Sequence, residues 1–145
     1  MNFSLLMSLY IKESPEYLND CFNSVFCNQT IKPKEIVLVL DGPITEDLSN
    51  IINFWSKKIK SILKVIKLEQ NVGLGNALNI GLRNCSNEWV FRMDTDDICK
   101  PDRFEKQLAF IESNPDVVLF GGQVLEFENE PNDFQVLKSV PTTNE

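Results

Sequence analysis

The chain has 145 residues, 43% of them hydrophobic, with 14 Lys plus Arg against 21 Asp plus Glu and a net charge of −7. That length suits one domain with a real core and is too short for two ordinary ones, and the apolar fraction excludes a disordered chain. The acidic balance argues against a surface that tracks nucleic acid, and the absence of histidine removes Ser-His and Cys-His catalysis and most zinc sites.

"FSLLMSLY" (Phe3–Tyr10) reads as a buried strand; its apolar run is too short, and its start too poor in basic residues, for a secretion signal. "SPEYLNDCFNSVF" starts a helix with Ser14 as N-cap and Pro15 at the first helical position. "KEIVLVLDG" (Lys34–Gly42) is the clearest buried strand. A helix follows from about Thr45, with Leu48, Ile51, Ile52, Trp55 and Ile59 at helical spacing. "SILKVIKLEQ" (Ser61–Gln70) is a third strand. "NVGLGNALNIGLRNC" is a third helix with Leu74, Ala77, Leu78, Gly81 and Leu82 on one face, and "EWVFRMD" a fourth strand. A fourth helix is expected from Pro101 to the Asn114-Pro115 boundary. "DVVLFGGQVLEFE" then reads as a fifth strand, kinked at Gly121-Gly122. Residues 1–128 are thus expected to form the folded domain, and 129–145 a loop or tail.

Strand-helix alternation predicts a three-layer α/β/α, Rossmann-like fold with a mostly parallel sheet. Ligands of such sheets bind beyond the carboxyl ends of the strands, which here are Ser8–Tyr10, Asp41-Gly42, Glu69–Gly73 and Asp94–Asp97. Cys21, Cys27, Cys85 and Cys99 contain no C-x-x-C pair and read as reduced thiols of a cytoplasmic protein. No segment approaches the roughly 18 apolar residues of a membrane span.

In "FRMDTDDICKPDR" three aspartates, Asp94, Asp96 and Asp97, follow an apolar run without a spacer. Strand alternation would point Asp94 and Asp96 to the same side. Carboxylates so close repel one another unless they share a cation, and oxygen ligands suit Mg²⁺ or Mn²⁺ bridging to a phosphate. The alternative is an acidic turn favoured by the following helix N-terminus. Asp41 can accept hydrogen bonds from a ribose or base, or Asp41-Gly42-Pro43 can be simply a tight turn. "NVGLGNALNIG" matches neither phosphate-loop pattern. Its helix N-terminus near Gly73 can offer N–H groups to a phosphate or sugar, whereas Gly75, Ala77 and Gly81 read as small residues for close packing.

Four blocks, "LLMSLYIKESPEYLNDCFNSVFCNQT", "EIVLVLDGP", "NVGLGNALNIGL" and "FRMDTDDICKPDRFEKQ", resemble in order and spacing the family 2 glycosyltransferases of the A-type nucleotide-sugar-binding fold. The likeness covers roughly Phe3 to Gly122 and is greatest to bacterial enzymes of capsule, exopolysaccharide and O-antigen synthesis. It implies metal-dependent, inverting transfer of a sugar from a nucleoside-diphosphate donor, a UDP-sugar first, to a growing glycan or lipid-linked glycan. A cytoplasmic location is expected from the reduced cysteines, with peripheral association at the inner face of the cell membrane, and no nucleic-acid partner is expected from the acidic charge.

By the same resemblance, Ser8 and Tyr10 lie against the base, Asp41 contacts base or ribose, and Asn71 and Gly73 complete the donor pocket. Asp94 faces ribose and diphosphate, Asp96 ligates Mn²⁺ or Mg²⁺, and Asp97 supports that site or touches the donor sugar. Two departures stand out: Leu78 replaces a basic residue common in the third block, and no Glu-Asp motif for a general base comes after the aspartates. No catalytic base is therefore assigned within the chain; it is expected beyond Glu145, with the acceptor-binding part. The alternative reading is a donor-binding fragment without transfer activity. A haloacid-dehalogenase-type phosphatase would need a downstream Lys and a second acidic pair, and a sugar nucleotidyltransferase a glycine- and basic-rich loop where "SLYIKESPE" stands.

Overall fold

The computed structural model describes residues 1–128, 131, 133 and 135–138. Among the described residues there are four principal helices and six strands. The strands are β1 (Phe3–Leu9), β2 (Glu35–Leu40), β3 (Leu63–Lys67), β4 (Trp89–Arg92), β5 (Val124–Phe127) and β6 (Gln135–Lys138). The helices are α1 (Pro15–Phe22), α2 (Glu46–Ile59), α3 (Leu74–Leu82) and α4 (Arg103–Ser113). The backbone divides into two compact units, Met1–Leu108 and Ala109–Glu145.

In the first unit, β1–β4 form one parallel sheet in the order β3-β2-β1-β4. The chain winds outward from β1 to β3, then crosses back to place β4 on the other side of β1. That reversal puts a topological switch point between β1 and β4, where such sheets open a crevice.

β2 is buried on both faces, Ile36, Leu38 and Leu40 on one and Val37 and Val39 on the other, as expected of a strand covered twice. On one face Leu6, Val37 and Val39 pack with Ala77 of α3. Gly81 makes that approach possible: a Cβ there would strike Leu6 Cδ1 and lie 2.8 Å from Val39 Cγ2. On the other face lie Phe3, Leu5, Met7 and Leu9. Phe3 meets Phe91 and Phe104 with ring centroids 4.7 and 4.9 Å away. Phe22 of α1 stacks on Trp55 of α2 at 5.1 Å, and the indole N–H of Trp55 donates to Asn19 Oδ1.

The helix starts follow the sequence closely. Ser14 caps α1 by accepting from the Tyr17 amide, with Pro15 next to it, and Thr45 caps α2 by accepting from the Leu48 amide. α1 runs on into a π-helical turn, Asn23–Cys27. At the amino ends of the strands, Glu35 accepts hydrogen bonds from Ser4 Oγ and from the amide and hydroxyl of Ser86. Partial burial works to raise the Glu35 carboxyl, but those hydrogen bonds outweigh it and hold it below the usual glutamate value.

Four expectations change. α4 starts at Arg103, because Pro101 and Asp102 form a turn that delivers the chain to it. Leu74 and Leu82 of α3 are exposed, so the packed stripe narrows to Ala77, Gly81 and half-buried Leu78. A Cβ on Gly75 would meet nothing within 4 Å, so close packing does not explain that glycine.

The fourth change lies in the second unit. The fifth strand is only Val124–Phe127, and residues 117–123 are irregular. β5 pairs antiparallel with β6, which falls inside the stretch read as loop or tail; the rest of that stretch lies largely outside the described residues. Phe110 and Phe120 face each other at 5.3 Å, and Lys138 pairs with Glu126 at 2.7 Å across the hairpin.

Candidate functional site

The parallel sheet brings the carboxyl ends of β1, β2 and β4 to one edge. The sequence-predicted residues on β1, β2 and β4, Ser8, Tyr10, Asp41 and the aspartates, all belong to that edge, and Asn71 and Gly73 join it after β3. Ser8 is half-buried within β1, and Tyr10, 46% exposed, stands just past the strand.

Asp41 is 4% exposed. Its Oδ1 accepts the Val72 amide at 2.7 Å and its Oδ2 the Gly73 amide at 3.1 Å, while Asn71 Nδ2 donates to its carbonyl. The carboxylate therefore holds the loop leading into α3. The Gly73 amide, expected to face a phosphate or sugar, is taken up by Asp41 instead. Gly42 allows the two loops to touch: its φ is +93°, and a Cβ would lie 2.7 Å from the Asn71 nitrogen. Of the two readings of Asp41-Gly42, the structure shows the turn, with both carboxylate oxygens engaged by backbone amides of the facing loop.

The acidic segment is a turn rather than a continuing strand. β4 ends at Arg92, the Met93 amide makes one more ladder bond to the Leu6 carbonyl, and the Asp97 amide closes on the Asp94 carbonyl at 3.4 Å. Strand alternation consequently lapses before Asp96. Thr95 is buried, whereas Asp96 and Asp97 are exposed and Asp94 is half-buried. Asp94 Oδ1 accepts from Arg92 Nη2 at 2.6 Å.

Desolvation, then the charges of Asp96 and Asp94, raise the Asp97 carboxyl above its usual value, with Arg103 and Arg92 opposing. Among the described residues no three or more His, Cys, Asp or Glu side chains are arranged to hold a metal ion by themselves. The mutual repulsion of the three aspartates nonetheless fits a hard divalent cation that takes one or two protein carboxylates and completes its shell elsewhere.

A second set of residues fixes this turn, and sequence reasoning assigned them no role in holding it. Cys21 Sγ donates to the Asp94 carbonyl at 3.3 Å, and the buried thiol is held well above its usual pKa by desolvation first. Ser24 Oγ accepts the Cys99 amide at 2.9 Å. Gln29 Nε2 bridges the Ser24 and Lys100 carbonyls at 2.8 Å each, and the Thr30 amide donates to the Pro101 carbonyl. From α4, Arg103 donates to the Arg92 carbonyl and to Met93 Sδ. The Gln-Thr pair after the first helix was visible as a block; its work, clamping the chain beyond the aspartates, becomes visible only in three dimensions.

The model of glycosyl transferase family 2 matches residues 4–144. An uncharacterized glycosyltransferase of Haemophilus influenzae is 54% identical over 99% of this chain and 52% of its own length. The amylovoran biosynthesis glycosyltransferase AmsE of Erwinia amylovora is 48% identical over 98% of this chain and 52% of its own. A UDP-Gal:alpha-D-GlcNAc-diphosphoundecaprenol beta-1,3-galactosyltransferase of Escherichia coli is 41% identical over 98% and 50%. The chain thus spans about half the length of these relatives. Among solved structures, S. aureus TarS 1-349 in complex with UDP-GlcNAc superposes with a TM-score of 0.67 at 30% identity, covering 79% of this chain and 32% of that one. The expected fold class is borne out, and the chain belongs to glycosyl transferase family 2.

Proposed function

We propose that this chain binds a nucleoside-diphosphate sugar, a UDP-sugar first, as the donor half of a metal-dependent, inverting glycosyltransferase that extends a surface glycan. The observation that carries this reading is the meeting of Tyr10, the Asp41-held loop and the Asp94–Asp97 turn at one sheet edge beside a switch point. UDP-GlcNAc in the related TarS structure and the UDP-Gal donor named for the E. coli relative support the nucleotide. That relative's diphosphoundecaprenol acceptor supports a lipid-linked acceptor and work beside the inner membrane. Among the described residues no helix is long and apolar enough to cross a membrane.

In this reading Ser8 and Tyr10 take the base, and Asp41 places Asn71 and Gly73 beside the nucleoside. Asp94 faces ribose and diphosphate, Asp96 ligates Mn²⁺ or Mg²⁺, and Asp97 supports the metal or meets the donor sugar. When bound, the cation supplies Lewis-acid stabilisation of the departing diphosphate. The hydrogen-bonded turn keeps the carboxylates in place so that they need not reorganise as charge develops. Activation of the acceptor is assigned to a carboxylate in the part of the relatives' length that this chain does not span.

Calorimetry of the chain with UDP and GDP, each with and without Mn²⁺, tests the reading. Binding of UDP that strengthens with Mn²⁺ is expected. No nucleotide binding under any of these conditions overturns it.

A further inference from the structure

We infer that Glu13 is a positioning residue that couples the β1–α1 loop to the acidic turn, acting through Thr95. The inference rests on the donor-binding reading above. Thr95 separates Asp94 from Asp96 and is 3% exposed, so its hydroxyl needs a partner within the protein. That partner is Glu13 Oε2 at 2.7 Å, with the Ser8 carbonyl farther off at 3.5 Å.

The other oxygen of Glu13 accepts the amide of Ser14, the cap of α1, at 2.8 Å, and the Glu13 amide donates to the Tyr10 carbonyl at 3.1 Å. One residue thereby joins the turn that carries Tyr10, the start of α1 and the centre of the D-T-D sequence.

The choice of side chain is informative. A carboxylate bonded to the residue between Asp94 and Asp96 adds negative charge to an acidic turn, which a neutral acceptor would avoid. What it gives in return is direction. A carboxylate only accepts, so the Thr95 hydroxyl can only donate, and the charge-assisted bond is short and strong. Thr95 is fixed in one rotamer, and the backbones of Asp94 and Asp96 on either side are fixed with it. In this role Glu13 acts through Thr95, setting the spacing between the base-side loop and the metal-side turn.

The test is calorimetry of the whole chain with UDP, with and without Mn²⁺, for wild type, Glu13→Ala, Thr95→Val, the double variant and Thr95→Ser. Amide hydrogen exchange over residues 94–99 is measured in parallel. Loss of the charged hydrogen bond is expected to weaken Mn²⁺-assisted UDP binding about tenfold in each single variant. The double variant should lose no more than either single one, UDP binding without metal should stay within about twofold, and Thr95→Ser should retain wild-type binding. Exchange over 94–99 should quicken in Glu13→Ala, Thr95→Val and the double variant, and stay at the wild-type rate in Thr95→Ser.

Full-strength metal-assisted binding, additive losses, or equal losses with and without Mn²⁺ overturn the coupling. So does unchanged exchange over 94–99 when wild type binds UDP normally. Failure of wild type to bind either UDP or GDP overturns the donor reading itself and takes this inference with it. Where Glu13→Ala does not fold, Glu13→Gln, which keeps one acceptor oxygen for two donors, replaces it with an expected loss of about threefold; no loss there counts against the coupling.

Discussion

Asp41 Oδ1 accepts the amide hydrogen of Val72 at 2.7 Å, tying the exit of β2 to the approach to α3. With Oδ2 holding the Gly73 amide, the buried carboxylate satisfies two backbone donors. Asp41→Ala leaves both amides short of a partner and should cost about 2 kcal/mol of unfolding free energy. Urea denaturation measures it. Stability within about 0.5 kcal/mol of wild type would show that the loop does not depend on Asp41.

Gly81 and Gly75 lie on the same helix in opposite circumstances. Gly81→Ala pushes a methyl into Leu6 and Val39 and should destabilise by about 1–3 kcal/mol. Gly75→Ala enters open space and gains helix propensity, so a change between zero and about 1 kcal/mol of stabilisation is expected. Thermal melts should therefore fall for Gly81→Ala and hold or rise for Gly75→Ala, and a matched loss at both positions would refute the packing difference.

How much of this could be read from the residues differs by element. Ser14-Pro15 and Thr45 announced their helices because capping is local chemistry, and buried β2 announced itself by its unbroken apolar run. The aspartates stood out by type and by their place after a strand. Their conformation did not, because the strand ends at Arg92 and the path beyond it is set by partners 71 to 82 positions away in sequence. These are Glu13, Cys21, Ser24, Gln29 and Thr30. Tertiary hydrogen bonds of that span leave no periodic trace. The fifth strand was over-extended for the opposite reason, since "VVLFGG" has strand composition but is not paired into either sheet.

Asp97 sits against the charges of Asp96 and Asp94 while partly desolvated, and its carboxyl is raised accordingly. Removing that charge should relieve the metal-free protein. Asp97→Asn is expected to raise the melting temperature by about 2 °C without metal while lowering Mn²⁺-assisted UDP affinity. Differential scanning fluorimetry in chelator gives the first value; a lower melting temperature would mean that the carboxylate is stabilising, contrary to that repulsion.

Glu35 predicts a pH effect at the far end of the sheet. Its carboxyl is depressed in the folded protein, so the stabilisation it provides is present above the ordinary glutamate value and is lost as pH falls through the lower folded value. Glu35→Gln should be less stable than wild type at pH 7, and the two should converge on acidification below that window. Melting curves across the range report it, and parallel curves with a constant gap would exclude the linkage.

In the proposed reading Asp96 brings a divalent cation to a nucleoside diphosphate. The ratio of UDP affinities with and without Mn²⁺, for wild type and Asp96→Ala, measures this most directly. The predicted ratio is about tenfold or more for wild type and collapses to about one in the variant, while metal-free binding persists. An unchanged ratio in Asp96→Ala would contradict it.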